Sequence, residues 1–182
     1  MGKRDQFVRL ARRLLGGGTG PEKAASIAPP EVRTPPPVGD VRLADLWALR
    51  SALEEGDRPR LVNHWATWCE GCVEELPALV ELHRRFGDRV AFLGISWELF
   101  QGNDSPGEAV RTVAGAMREH GAGWPTLLFE GVPRELFLGL ELADEVIPQT
   151  FVYDADGKTL FHHVGPIGSA EAHKIEESLK AE

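Results

Sequence analysis

The apolar positions between residues 41 and 182 follow two periods, one typical of helices and one typical of strands. Apolar side chains recur at helical spacing in four segments, "LADLWALRSALEE", "VEELPALVELHRRF", "SPGEAVRTVAGAMREHG" and "SAEAHKIEESLK". Short continuous apolar runs in "RLVNHWA" and "RVAFLGIS" predict buried strands. Apolar and polar residues alternate on both sides of "DADG" in "TFVYDADGKTLFHHV", which predicts a β-hairpin.

These elements predict the fold class. The first two strands are joined through a helix and are expected to lie parallel, whereas the strands of the hairpin are antiparallel. We therefore predict an α/β domain with a mixed central sheet flanked by helices on both faces. Ser105, Pro106 and Glu108 have the pattern of a helix start with a capping box. Gly56 and Gly157 stand where a helix end and a hairpin turn favour positive φ.

Residues 1–40 differ in pattern from the rest of the chain. Residues 6–15 place apolar side chains at helical spacing among arginines, which predicts a short basic amphipathic helix. Residues 16–40 include "GGG" and "TPPPVGD" and predict a Gly/Pro-rich linker, which we expect to be mobile. We therefore predict a folded domain over residues 41–182. Because the basic stretch lacks the apolar centre of a signal peptide, we expect no export signal and a cytoplasmic location.

Composition excludes several classes of function. The formal net charge of −8 argues against a nucleic-acid-binding protein, which needs clustered Lys and Arg for phosphate contacts. No apolar run approaches the roughly 18 residues that a membrane span requires. The chain has 2 cysteines, too few for the disulfide framework of a small secreted domain.

Both cysteines lie in Cys69-Glu70-Gly71-Cys72, between a predicted strand and a predicted helix. Cys69 is thus expected at a helix N-terminus, where free N–H groups and the helix dipole lower the pKa of a thiol. Cys72 lies one turn further along the same face, within reach of a mixed disulfide formed at Cys69. The pair can therefore cycle between dithiol and disulfide.

Two other chemistries remain open for this pair. Copper(I) can be held by few soft ligands, so a copper(I)-binding or delivery protein is the main alternative. A thiol peroxidase is a weaker alternative, because the Thr-x-x-Cys spacing of such enzymes is not met by "ATWC". Zinc normally takes four ligands, and no second Cys pair or spaced His pair accompanies the first, so we expect no metal site.

The segment "LVNHWATWCEGCVEELPAL" resembles the active-site segment of the thioredoxin superfamily, and in particular its TlpA/ResA-like branch of thiol–disulfide oxidoreductases. A second segment, "VIPQTFVYDADGK", is similar to the "xxPxTFxIDxDG" pattern of the same branch. The resemblance covers about residues 41–182. It implies a thioredoxin-like fold with an insertion, over residues 97–147, between the cysteine motif and a cis-proline.

The resemblance also implies roles for individual residues. Cys69 corresponds to the attacking thiol and Cys72 to the resolving thiol. Trp68 flanks the disulfide and is expected to contact the partner. Pro148 corresponds to the cis-proline opposite the cysteines, and its position leaves the backbone of Ile147 to pair with a substrate strand.

A carboxylate accompanies the cysteines in this branch, and the matching residue is Glu75, on the same helical face as Cys72. A partly buried Glu75 is expected to have a raised pKa and to relay a proton during exchange. Three positions depart from common patterns of the superfamily. Asn63 replaces the buried aspartate of thioredoxin, Gly71 replaces the usual proline between the cysteines, and His64 is expected to be a buried core residue.

We therefore predict a monomeric protein-disulfide reductase without a metal or bound organic cofactor. Its expected partners are a protein disulfide substrate and an upstream thiol or other electron donor. The resemblance suggests extracytoplasmic work, in conflict with the cytoplasmic location expected from the N-terminal segment. Four aromatic residues in the region 97–147 are expected to pack mainly in the core: Trp97, Trp124, Phe129 and Phe137.

Overall fold

The computed structural model describes residues 39–101 and 105–180. Its strands are β1 (Val41–Ala44), β2 (Arg60–Trp65), β3 (Ala91–Ser96), β4 (Thr126–Phe129), β5 (Gln149–Tyr153) and β6 (Thr159–Val164). Its helices are α1 (Leu46–Glu54), α2 (Glu70–Phe86), α3 (Pro106–His120), α4 (Pro133–Gly139) and α5 (Ser169–Lys180), and a 3₁₀ turn spans Glu98–Phe100. The predicted helix over 6–15 and all but two residues of the predicted linker lie outside the described residues.

The six strands form one mixed sheet in the order β1-β4-β3-β2-β5-β6. Strands β1, β4, β3 and β2 are parallel, β5 pairs antiparallel with β2, and β6 pairs antiparallel with β5. The predicted α/β fold with a mixed central sheet is confirmed. Because the parallel strands end at one edge of the sheet, the segments that follow β2, β3 and β4 come together there.

The sequence prediction missed three elements, β1, β4 and α4. Both missed strands have only four residues, and α4 has seven. Segments this short carry little periodic signal, and β1 is defined by its parallel pairing with β4, more than 80 residues away in the chain. Between β3 and β5 the chain therefore contains the 3₁₀ turn, α3, β4 and α4. That this region is an insertion remains a prediction.

The core lies on both faces of the sheet. Adjacent residues of β2 face opposite sides: Leu61 belongs to the core cluster that includes residues of α2, α3 and α5, and Val62 to the cluster that includes residues of α1 and α4. The four aromatic residues expected in the core are buried, which confirms that prediction: Trp97, Trp124, Phe129 and Phe137. Apolar burial of this kind supplies most of the favourable free energy of folding.

Local sequence signals agree with the observed ends of the elements. Ser105 caps α3 in a complete capping box with Glu108, and Pro106 occupies the first turn. Gly157, in the β5–β6 turn, has φ of 80°, and Gly56, just beyond α1, has φ of 105°. Within the two described ranges, no helix combines the length and apolarity needed to cross a bilayer.

Candidate active site

The two cysteines lie where β2 gives way to α2. The chain leaves β2 at Trp65, and Cys69 occupies the N-cap position of α2 with extended backbone. Cys69 and Cys72 are joined by a disulfide, with their Cα atoms 5.2 Å apart. Cys72 is fully buried, whereas Cys69 is partly exposed. Of the two sulfurs, that of Cys69 is therefore the one a partner can approach.

The backbone N–H groups at the start of α2 lie near Cys69. The carbonyl oxygen of Cys69 accepts hydrogen bonds from the N–H groups of Cys72 and Val73, at 3.0 and 3.2 Å. No side chain caps the helix at this position. The N–H groups of the first turn therefore favour negative charge at Cys69, as the sequence predicted.

Pro148 lies against the cysteine motif, and the Ile147–Pro148 peptide bond is cis. A Cβ atom placed on Gly71 would lie 3.7 Å from Cδ of Pro148 and only 2.9 Å from Cγ of Pro166. The backbone of the motif is thus in close contact with two prolines from distant parts of the chain. This contact explains why a glycine stands between the cysteines, because a side chain there would collide with Pro166. Ile147 is partly buried beside it.

Glu75 is the predicted carboxylate, and it is 1% exposed. Its Oε1 accepts a hydrogen bond from Nδ2 of Asn63 at 2.7 Å, and its Oε2 accepts one from the backbone N–H of Ile167 at 2.8 Å. Burial raises the pKa of the Glu75 carboxyl to about 7, against the opposing effect of these two hydrogen bonds. Its neighbour Glu74 is exposed, as expected from the helical spacing.

Asn63 connects three elements of the site. Its Nδ2 also donates to Oγ1 of Thr150 at 3.1 Å, so this side chain on β2 joins α2 to β5. Its buried Oδ1 has no hydrogen-bond donor among the described residues. Asn63 therefore fixes the position of the Glu75 carboxylate without adding a second buried negative charge.

His64 belongs to the core, which confirms the sequence prediction. It is 2% exposed, and its Nδ1 accepts a hydrogen bond from Nε1 of Trp97 at 3.1 Å. Burial lowers the pKa of His64 to about 3, with a smaller contribution from the nearby His162. The imidazole is therefore neutral at physiological pH.

Trp68 remains at the surface, 37% exposed, directly before Cys69. Its Nε1 donates a hydrogen bond to the backbone oxygen of Glu98, at 3.3 Å. Glu98 follows β3 at the same edge of the sheet, and its buried carboxylate accepts hydrogen bonds from Thr67. The sequence analysis did not single out Glu98. The available signal was an acidic residue soon after a buried strand that runs parallel to the strand of the cysteine motif.

The cysteine pair gives the site thiol chemistry. Within residues 39–101 and 105–180, no group of three or more His, Cys, Asp and Glu side chains is arranged to hold a metal. Cys69, Cys72 and Glu75 lie at the start of α2, Trp68 directly precedes Cys69, and Pro148, preceded by Ile147, lies against Gly71 between the cysteines. These are the six residues that the sequence analysis assigned to the site.

No protein-family model matches this chain. Among curated sequences, the thiol:disulfide interchange protein HelX of Rhodobacter capsulatus is 32% identical over 108 residues, covering 59% of this chain and 53% of HelX. A homologue of the thiol:disulfide interchange protein DsbE from Paracoccus denitrificans is 29% identical over 135 residues, covering 74% of this chain and 66% of the homologue.

A solved structure is also similar. The thioredoxin-family thiol:disulfide interchange protein of Chlorobium tepidum superposes with a TM-score of 0.53 at 25% identity, over 72% of this chain and 82% of that protein. The matched part of this chain spans between half and two thirds of the lengths of the two curated relatives. The shared motifs, the fold and the sequence similarity support the predicted resemblance of this chain to the thioredoxin superfamily, in particular to its TlpA/ResA-like branch of thiol–disulfide oxidoreductases.

Proposed function

We propose that this chain reduces protein disulfides by dithiol–disulfide exchange at Cys69 and Cys72. The observation that carries the proposal is the arrangement of the pair. An accessible sulfur lies at a helix N-terminus, a buried sulfur lies one turn further on, and the buried carboxylate of Glu75 follows on the same helix. Relatives named as thiol:disulfide interchange proteins support the same chemistry.

The proposed reaction starts from the dithiol form. The Cys69 thiolate attacks one sulfur of the partner's disulfide, the partner's S–S bond breaks, and the partner's other sulfur leaves as a thiolate that takes up a proton. The Cys72 thiol then loses its proton and attacks the Cys69 sulfur. The mixed disulfide breaks, the partner leaves as a dithiol, and the Cys69–Cys72 disulfide forms. Two electrons pass to the partner, and an upstream dithiol restores them.

Glu75 is proposed to accept the proton of Cys72. A buried thiol is a poor nucleophile until it is deprotonated, and burial opposes that step. A carboxyl group whose pKa is about 7 is partly ionised at neutral pH, so it can accept a proton and release it again. Asn63 and the backbone of Ile167 hold the carboxylate in place through hydrogen bonds.

The charge distribution supports a reducing direction. From residue 61 to residue 83 the chain contains no Lys or Arg, while it contains Glu70, Glu74, Glu75 and Glu81. Negative charges near a thiolate raise its free energy, which opposes the stabilisation of the thiolate by the helix N-terminus and shifts the balance from the dithiol toward the disulfide. A protein whose disulfide is favoured gives electrons to its partners.

Trp68 and the backbone of Ile147, both beside the disulfide, are proposed to contact the partner, with the buried Pro148 supporting Ile147 from behind. The exposed indole of Trp68 offers apolar surface next to Cys69. The backbone of Ile147, next to Pro148, is proposed to pair with an extended segment of the substrate, as the family resemblance implies. Alanine replacement of Trp68 would test its part, with exchange against a small disulfide as the control.

The reduction potential of the Cys69–Cys72 pair is the primary test. The chain is equilibrated in thiol buffers of known potential, and Trp68 fluorescence reports the redox state. A value near or below roughly −250 mV supports a reductase, and a value between about −180 and −120 mV contradicts it in favour of an oxidant or isomerase. A Cys72→Ser variant is expected to accumulate a mixed disulfide with a protein substrate, while Cys69→Ser is expected to form none.

The same variants test the copper(I) alternative. Failure of the wild-type chain to form its disulfide, together with tight copper(I) binding that Cys72→Ser abolishes, would replace exchange by metal delivery. No contact in the described residues favours that outcome over exchange.

The comparisons give no support to the cytoplasmic location expected from the sequence. We propose instead the extracytoplasmic location that the family resemblance implies, and a phosphatase fusion to the encoded protein in its host would test it. The proposed monomeric state is tested by sedimentation equilibrium of the oxidised and reduced forms.

A further inference from the structure

Glu98 forms more hydrogen bonds to the segment before Cys69 than any other side chain described. Its Oε2 accepts the backbone N–H of Thr67 at 2.8 Å, and its Oε1 accepts the hydroxyl of Thr67 at 2.5 Å. Its backbone oxygen accepts Nε1 of Trp68 at 3.3 Å. One residue thus binds the backbone of the segment, a side chain of the segment and the indole that precedes the reactive cysteine.

The Glu98 carboxylate is buried without the ion-pair partner that usually accompanies a buried charge. It is 5% exposed, and it takes part in none of the ion pairs among the described residues. A buried carboxylate is costly unless hydrogen-bond donors replace its water. Here the donors come from Thr67, two residues before Cys69. The Glu98 carboxylate therefore depends on Thr67 for its hydrogen-bond donors, and the N–H and hydroxyl groups of Thr67 depend on Glu98 for their acceptors.

Glu98 is itself held in place by hydrogen bonds and strand pairing around it. Glu98 begins the 3₁₀ turn that follows β3, its backbone N–H donates to Oγ of Ser96 at 3.3 Å, and the N–H of Trp97 donates to the oxygen of Trp65 at 2.8 Å. The two strands β2 and β3 are paired up to the residue before the loop. A rigid support of this kind is what a reactive loop needs if it is to present the same surface at each encounter.

We propose that Glu98 is a positioning residue for exchange with protein disulfides: it holds Thr67 and Trp68 so that the exposed indole keeps one orientation beside Cys69. The inference rests on the proposed function. It assigns Glu98 no contact with the substrate and no proton transfer. Its effect is on the productive docking of a protein partner, which needs the indole, rather than on the attack of Cys69 on a small disulfide, which does not.

Two substitutions at Glu98 separate the hydrogen bonds from the charge. Glu98→Ala removes the carboxylate and leaves the N–H of Thr67 without its acceptor. Glu98→Gln restores the contacts, because the amide oxygen can accept the Thr67 N–H and the amide nitrogen can donate to the Thr67 hydroxyl. Thr67→Val and Thr67→Ser form a second pair, in which the serine keeps the hydroxyl. Glu130→Ala is the matched control, since Glu130 follows the neighbouring strand β4 but is exposed.

The assay compares two oxidants of the reduced chain by stopped flow, with insulin as the protein disulfide and 2-hydroxyethyl disulfide as the small one. For Glu98→Ala we expect the second-order rate constant with insulin to fall about tenfold, the size of effect that loss of a charge-assisted hydrogen bond produces. The rate with the small disulfide should stay within about twofold of the wild type. Glu98→Gln should recover the insulin rate, and Glu130→Ala should not change it.

The orientation of the indole has its own readout. The Trp68 indole N–H signal in a ¹⁵N spectrum, assigned by its absence in Trp68→Phe, should shift in Glu98→Ala and return in Glu98→Gln. Urea unfolding of each variant shows that the chains compared are folded.

Several outcomes would overturn the proposal. A folded Glu98→Ala chain that reacts with insulin at the wild-type rate shows that the contacts do not matter. An equal loss with both disulfides, not recovered by Glu98→Gln, shows that Glu98 acts on Cys69 itself or on general stability. A wild-type chain that reacts with neither disulfide refutes the proposed function, and this role with it.

Discussion

Replacement of Glu75 by glutamine should change how the stability of the oxidised protein depends on pH. The disulfide form is the right one to study, because neither cysteine titrates in it. In the unfolded chain the Glu75 carboxyl titrates near its ordinary pKa of 4.5, whereas in the folded chain burial raises that pKa to about 7. Between these two values the folded state keeps a proton that the unfolded state has lost.

The sign and size of the effect follow from this difference. Because the folded pKa is raised, stability from Glu75 is fully present below pH 4.5 and is lost as the pH rises through 7. A difference of roughly 2.5 pKa units corresponds to about 3 kcal/mol, at about 1.4 kcal/mol per unit. Glutamine does not titrate, so the Glu75→Gln variant lacks this loss. It should therefore gain about 3 kcal/mol relative to the wild type between pH 4 and pH 8.

Urea unfolding at several pH values measures this quantity directly. Glutamine also replaces one acceptor of the two hydrogen bonds from Asn63 and Ile167, which adds a cost that is the same at every pH and does not affect the slope. Glu74→Gln makes the same chemical change at an exposed neighbour, and it shows how much pH dependence comes from losing a charge at this end of α2. A Glu75→Gln difference that is flat from pH 4 to pH 8 would refute the raised pKa and remove the basis for proton transfer by this group.

Two further predictions concern the packing around the site. Gly71→Ala should destabilise the oxidised protein by about 1–3 kcal/mol, because its Cβ would lie 2.9 Å from Cγ of Pro166; Gly115→Ala, in α3 with no atom near its Cβ, should instead stabilise it by about 0.5–1 kcal/mol. Equal effects of the two changes in urea unfolding would contradict the close contact. The His64 imidazole should stay neutral down to about pH 4, since its pKa is lowered to about 3; an NMR titration midpoint near 6.5 would show that burial does not control it.

Part of the fold could be predicted from the sequence because the signals that define it are local. The helical spacing of apolar residues, the capping box of Ser105 and the turn at Gly157 each involve residues within a few positions of one another. The strands missed, β1 and β4, have four residues each and depend on pairing with each other and with the rest of the sheet. Their existence is a property of the assembled sheet, so no local pattern revealed it.

The candidate site likewise contains residues that local sequence patterns placed and contacts that form only when the chain is folded. The sequence placed Cys69 at a helix N-terminus and Glu75 on the same face as Cys72, because a strand followed by a helix and a spacing of three residues are sufficient for that. It did not reveal Glu98, since the contact with Thr67 joins residues 31 positions apart. Hydrogen bonds across such distances exist only after β2 and β3 have paired.

The sequence by itself determined the chemistry of this protein: two thiols at the start of a helix, a carboxylate one turn beyond them, and a resemblance to the family that uses them. The tertiary structure decided the environment of those groups. It buried Cys72 and Glu75, brought Asn63 and Ile167 to the carboxylate from 12 and 92 residues away, and placed Pro166 against Gly71. The physical reason is that reactivity depends on solvation and on neighbouring charges, and both are set by parts of the chain that meet only when it is folded.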